Sequence, residues 1–364
     1  MWRLLLVLFG VTSCVIAAPT VAAKDKDKDW RATVIARAQV WEATNIPSKD
    51  LRTGPTGEKA FKFLETVTCA YDNKKLSGKT PKFACKIDPD DELKVKYGGT
   101  NGEVYAEVAA TRLLWALGFG ADAQYPVKVV CRGCPTEIAG IIRSPQETVV
   151  DPAIIERKMH GAPFEPDDTW GWHELNSVDE RAGGAPQAHR DALKLLAVFL
   201  QSSDNKADQQ RLICRDQPKD KAKEKAEGHG QMPCEHPFMY MHDVGMTFGR
   251  ANKLNQGHVG AMNLVEWSST PVWKKTSGCV GNLPKSLTGT LSDPTISEQG
   301  RQFLADLLTQ LTDEQLRGMF EAARVNLRLR HPAHPSSGFP TVDEWVAAFK
   351  AKREQIVNRS CPTT

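Results

Sequence analysis

Beyond its first 23 residues, the 364-residue sequence has no apolar run approaching the roughly 18 residues that a membrane-spanning helix needs. It also lacks a dominant charge. Lys and Arg number 47 against 44 Asp and Glu, for a formal net charge of +3. The lysines are interleaved with acids, so no nucleic-acid-binding face is expected. A second short cysteine pair is missing too: "CRGC" at 131 to 134 has half the spacing of a structural zinc site, and no other pair completes it. No G-x-S-x-G surrounds Ser202 and Ser203, which leaves a hydrolase nucleophile without support. There is no internal repeat.

The start of the chain has the layout of a secretory signal peptide over residues 1 to 23: Arg3, the run "LLLVLFGV", then small residues ending "AAPTVAA". "VTSC" also has the form of a lipoprotein box, so anchoring through Cys14 is an alternative to soluble export. Either way the expected location is exported, periplasmic or secreted. Eight cysteines follow Cys14, and an even count in an exported chain reads as disulfides.

Residues 24 to 60 read as a linker and N-terminal extension opening on "KDKDKD", which is too charged to bury. From 61 the pattern is β-like: "FKFLETVTCAYD", a turn near Ser77 and Gly78, "KFACKI", then "ELKVKYG". An antiparallel hairpin there would set Cys69 opposite Cys85. "EVYAEVAATRLLWAL" at 103 to 117 predicts a helix capped by Gly118, and "YPVKVVC" predicts a strand. The remainder is mainly helical. Residues 187 to 203 place Ala192, Leu195, Leu196 and Phe199 on one face and run into "DNKADQ". "RLIC" and "FMYM" would form a short hairpin around an insert at 216 to 233 of disordered composition, closed by Cys214 and Cys234. Helices near 295 to 329 and 341 to 357 end the chain. Strand-rich then helix-rich order predicts an α+β fold of two lobes, a small β-rich one over 61 to 145 and a larger one over 146 to 364.

Two short patches carry chemistry. "DNKADQ" places Asp204, Lys206 and Gln209 at the spacing D-x-K-x-x-Q, and "HDVG" supplies Asp243 with the small Gly245 behind it. Upstream, Lys94 and Lys96 share one strand face, and Glu103 and Glu107 share one helix face. "AEVAATRLLWALGF" resembles the corresponding helix of the secretory-pathway casein kinases of the Golgi. The order of all the patches resembles the kinase-like superfamily that also holds HipA-type and phosphatidylinositol kinases.

The resemblance implies an ATP- and magnesium-dependent phosphotransferase acting on an unknown protein or small-molecule acceptor. Lys96 or Lys94 would hold the nucleotide phosphates and Glu107 would orient that Lys. Asp204 would orient the acceptor or take its proton, Lys206 would balance charge at the transferring group, and Asp243 with Gln209 would hold metal. Two departures stand out: Gln209 replaces the family's Asn, and the turn at Ser77 and Gly78 has one glycine where three usually wrap phosphate. They leave open an inactive kinase-like binding module of the envelope or secreted space.

Overall fold

The computed structural model describes residues 21–134, 147–165, 167–217, 234–251 and 260–362, with the side chains of 21–28 excepted. Most of the segment expected to be a signal peptide, Cys14 and nearly all of the insert at 216 to 233 lie outside those residues.

The fold mixes strands and helices. Five strands close a barrel in the order β1 (Thr66–Asp72), β2 (Lys82–Lys86), β3 (Glu92–Tyr97), β5 (Glu147–Arg157), β4 (Ala123–Arg132). The seam is a parallel pairing of β1 with β4 in which Cys69 faces Cys131. Side chains alternate between faces along each strand. Phe83, Cys85, Leu93, Val95, Val127, Val129 and Ile155 fill the interior, while Lys82, Lys94 and Lys96 fall on the outer face. α2 (Glu103–Leu117) packs there and is buried nearly all round, its polar Glu103, Glu107, Thr111 and Arg112 included. It ends at Gly118, whose φ of +87° is the left-handed C-cap. A Cβ at Gly118 would sit 2.1 Å from the Glu42 carbonyl oxygen, so the close approach excludes any other residue.

A three-stranded sheet, β6 (Ala162–Pro163), β7 (Gln210–Cys214) and β8 (Pro237–Met241), follows. With it pack α3 (Gln187–Leu200), α4 (Leu264–Ser269), α5 (Glu298–Thr309), α6 (Asp313–Ala322) and α7 (Val342–Val357). Phe199, Phe248, Trp267, Phe320, Trp345 and Phe349 interlock edge to face or tilted at their centre. Trp170, Trp172, Trp267 and Trp273 are all buried.

Several sequence expectations change. The charged run at 24 to 29 lies within α1 (Val21–Ala36). Val34, Ile35, Ala38, Val40, Ile46 and Leu51 beyond it are buried in the main core, and Gln39 pairs its backbone with Pro237 and Met239. The apolar residues after the charges dock the segment, so it is no linker. β5 was not foreseen: residues from 147 to 157 belong to the barrel. The helix expected over 295 to 329 is two helices, split where Thr312 forms a capping box with Gln315.

The eight cysteines after Cys14 are paired, as Cys69–Cys85, Cys131–Cys134, Cys214–Cys234 and Cys279–Cys361. Tyr71, not Cys69, is the direct partner of Cys85, so the first bond runs diagonally across the hairpin. Among the described residues no helix is long and apolar enough to cross a membrane.

Candidate active site

Lys96 projects from the outer face of β3 toward α2 and is 3% exposed. Glu103 and Glu107, one helical turn apart, both meet it. Lys96 Nζ donates to Glu103 Oε2 at 2.8 Å and to Glu107 Oε1 at closer range, and Asp243 Oδ2 stands 3.8 Å away. One ligand oxygen from each of the three acids falls within 4.8 Å of the others. Gly245 makes this approach possible, since a Cβ there would lie 2.6 Å from Glu103 Cγ and 3.0 Å from Glu107 Oε1. Its N–H donates to Asp243 Oδ1 at 3.2 Å.

Burial alone would raise the Asp243 carboxyl, but Lys96, His242, Lys94 and the Gly245 N–H together hold it well below the usual carboxylate range. Lys96 is pushed well above the ordinary lysine value: burial opposes its charge, and Asp243, Glu107 and Glu103 overcome that. Glu107 moves up, because burial and its acidic neighbours outweigh Lys96.

Lys94 does not join the cluster. Its register partner on β5 is Glu156, and the two form an ion pair. Glu156 binds Lys158. Lys158 in turn reaches the fully buried Asp122 at 3.0 Å, which also takes Tyr240 Oη at 3.0 Å and His242 Nδ1 at 2.7 Å. The barrel edge is thereby tied to the residue preceding Asp243. Of the two lysines named from sequence, Lys96 alone meets Glu107 and Asp243.

Asp204 follows α3, which ends at Gln201 with φ +53°. Ser203 donates its N–H and hydroxyl to Met246 O, and the buried Asn205 donates to Ser202 O and Leu291 O while accepting from Leu291 N. Gln209 joins this loop to the other. Its Nε2 donates to Asp204 Oδ2 at 2.7 Å, and its carbonyl accepts from the backbone N–H groups of His242 and Asp243 at 2.8 and 3.1 Å. Pairing of Gln210 with Met241 brings the two loops to the same end of one hairpin. The Lys206 ammonium has no ion pair among the described residues.

Sequence reading passed over Lys82, Thr80 and Asn205. Lys82 is the register partner of Lys96, on the same outer face, and its Nζ lies 2.6 Å from where a Cβ on Gly78 would be. Burial and the adjacent Lys96 lower its pKa, against Glu103 and Asp243. Thr80 Oγ1 donates to Glu103 Oε2 at 3.1 Å. The signal was available: once 82–86 is paired with 92–97, the period of two puts Lys82 beside Lys96.

The donor set suits a hard cation such as magnesium, which prefers carboxylate and carbonyl oxygens. Asp243 is 31% exposed at its side chain, the Gln209 amide nitrogen is committed to Asp204 so that its oxygen is the atom left for a cation, and the buried Glu107 Oε2 has no hydrogen-bond partner.

No protein-family model matches the chain, and no curated protein matches it. Among solved structures, the crystal structure of a Helicobacter pylori proinflammatory kinase, CtkA, is similar over 81% of this chain and 96% of that one, with 9% identity and a TM-score of 0.43.

Proposed function

We propose that the protein is an exported, two-lobed, kinase-like phosphotransferase that uses ATP and magnesium on an acceptor still to be identified. The reading rests on one observation rather than on structural likeness: a strand lysine, two helix glutamates and an aspartate 147 positions downstream of that lysine converge on one point. Phosphoryl transfer needs little covalent work from a protein; it needs charge placed around the phosphates and a positioned acceptor.

In this reading Lys96 is held by Glu103 and Glu107 so that its ammonium faces the nucleotide phosphates. Asp243 and the Gln209 amide oxygen would hold magnesium, which when bound neutralises phosphate charge. Asp204 orients the acceptor hydroxyl and takes its proton, and Lys206, which has no ion pair among the described residues, offsets charge on the phosphoryl group as it moves. Thermal melting with magnesium and ATP tests binding, and ADP release tests transfer. Stabilisation by ATP that disappears in Asp243→Ala, together with ADP release, supports the reading; no shift with any nucleotide refutes it.

A second reading, nucleotide binding without transfer, is favoured by the Gln209 amide that already occupies an Asp204 oxygen. ATP-dependent stabilisation with no ADP release would select it.

A further inference from the structure

We propose that Lys82 is a second phosphate-binding cation of this site, reaching the nucleotide from the β1–β2 connection; the inference rests on the phosphotransferase reading. Lys96, the one cation among the described residues inside the cluster, is spent on carboxylates: its ammonium donates to Glu103 and Glu107 with Asp243 close behind. Three acids surround that one lysine, so the group has no net positive charge to offer, and any ionised excess of carboxylate repels an approaching polyphosphate. Two cations neighbour Lys96 on the same face: Lys94, which is paired with Glu156, and Lys82, directly across the β2–β3 ladder. Lys82 is half-buried, and among the described residues its ammonium makes no hydrogen bond or ion pair, although Glu103 and Asp243 act on it from farther off.

The connection itself explains why a side chain is needed. A glycine-rich loop binds phosphate through backbone N–H groups that come close because no Cβ intervenes. "NKKLSGKTPK" from 73 to 82 has one glycine and four lysines. Gly78, at φ +86°, brings its backbone against the Lys82 ammonium, and Thr80 ties the loop to Glu103. The loop is thus fastened at the cluster with a cation beneath its one flexible residue. A terminal phosphate entering there would gain charge-assisted hydrogen bonds from Lys82 that the backbone is not shaped to supply.

Calorimetric titration of the disulfide-bonded protein with ATP, ADP and adenosine, each with magnesium, tests this. Lys82→Met is expected to weaken ATP by about tenfold or more, the scale of one lost charge-assisted hydrogen bond, while leaving adenosine unchanged. Lys82→Arg, which keeps the charge, should bind ATP within about threefold of the wild type. Equal ATP affinity in wild type and Lys82→Met overturns the proposal, as does an equal loss of ATP and adenosine, which would mark a structural role. Failure of the wild type to bind any of the three ligands would instead refute the phosphotransferase reading and this inference with it.

Discussion

Replacing Lys96 by Met should make the protein's stability strongly dependent on pH in a predictable direction. Lys96 is 3% exposed and is the cation around which Glu103, Glu107 and Asp243 gather within 4.8 Å. Methionine is of similar length and needs no partner, so the change removes charge more than volume. At an effective dielectric of 20, two like charges about 4 Å apart repel by about 4 kcal/mol. Without the lysine the acids relieve that repulsion by binding one more proton than the wild-type cluster does.

Glu107 is raised already in the wild type, so the additional proton falls on a second carboxyl of the cluster. A glutamate with an ordinary pKa of 4.5 costs about 4 kcal/mol to protonate at about pH 7.5 but under about 1 kcal/mol at about pH 5, at 1.36 kcal/mol per unit. In the variant that group's folded pKa lies above its unfolded value. Its contribution is therefore fully present below 4.5 and is lost as pH rises through the raised folded value. Urea unfolding at the two pH values should show Lys96→Met destabilised by about 4 kcal/mol at the higher one, within the range for a broken buried ion pair, and by about 1 kcal/mol at the lower. A loss that is equal at both values, or negligible at the higher, refutes the geometry of the cluster.

Three further outcomes follow from other parts of the structure. Gly245→Ala places a methyl group 2.6 Å from Glu103 Cγ; it should cost about 1–3 kcal/mol on urea unfolding, as overpacking does, and should abolish any stabilisation by magnesium and ATP in thermal melts. Lys352 is buried, donates to Thr270 O, and is lowered by that burial from 10.5 to about 8, so the unfolded chain binds more protons between those values and stability should rise from pH 8 to 10.5. Lys352→Met forfeits one hydrogen bond but removes a penalty of up to about 3 kcal/mol; it should melt higher than the wild type at neutral pH, and a lower melting temperature would contradict the burial. Replacing Cys214 and Cys234 together by Ala opens a loop of 20 residues' separation, and denaturant curves should show a loss of about 3 kcal/mol.

The placement of the acidic and basic patches was readable because it rests on spacing: the helix face of Glu103 and Glu107, the strand face of Lys94 and Lys96, and the two aspartate loops. The choice between the two lysines was not, because it depends on Glu156 standing opposite Lys94 on a strand that the sequence did not announce. "ETVVDPAIIER" mixes acids and a proline into its apolar run, and its outward Glu156 finds its partners only in Lys94 and Lys158, once the strand is in place in the barrel. The segment from 24 to 60 misled for the opposite reason. Its first residues are charged enough to mask Val34, Ile35, Val40 and Leu51, whose burial becomes visible only when the rest of the core is in place.

Gln209 shows how far a spacing argument reaches. Its position five residues after Asp204 suggests a metal ligand, yet its observed bonds are internal: the amide nitrogen holds Asp204, and the carbonyl holds the backbone of His242 and Asp243. No pattern of residue types encodes the second of these, because a backbone carbonyl is common to every residue and is aimed here by the pairing of β7 with β8. The hairpin therefore does more than deliver two carboxylates to one end of a sheet. It makes the placement of Asp243 depend on the same residue that engages Asp204, so a change in the rotamer of Gln209 can free the Asp204 oxygen while leaving the carbonyl, and with it the position of Asp243, unmoved.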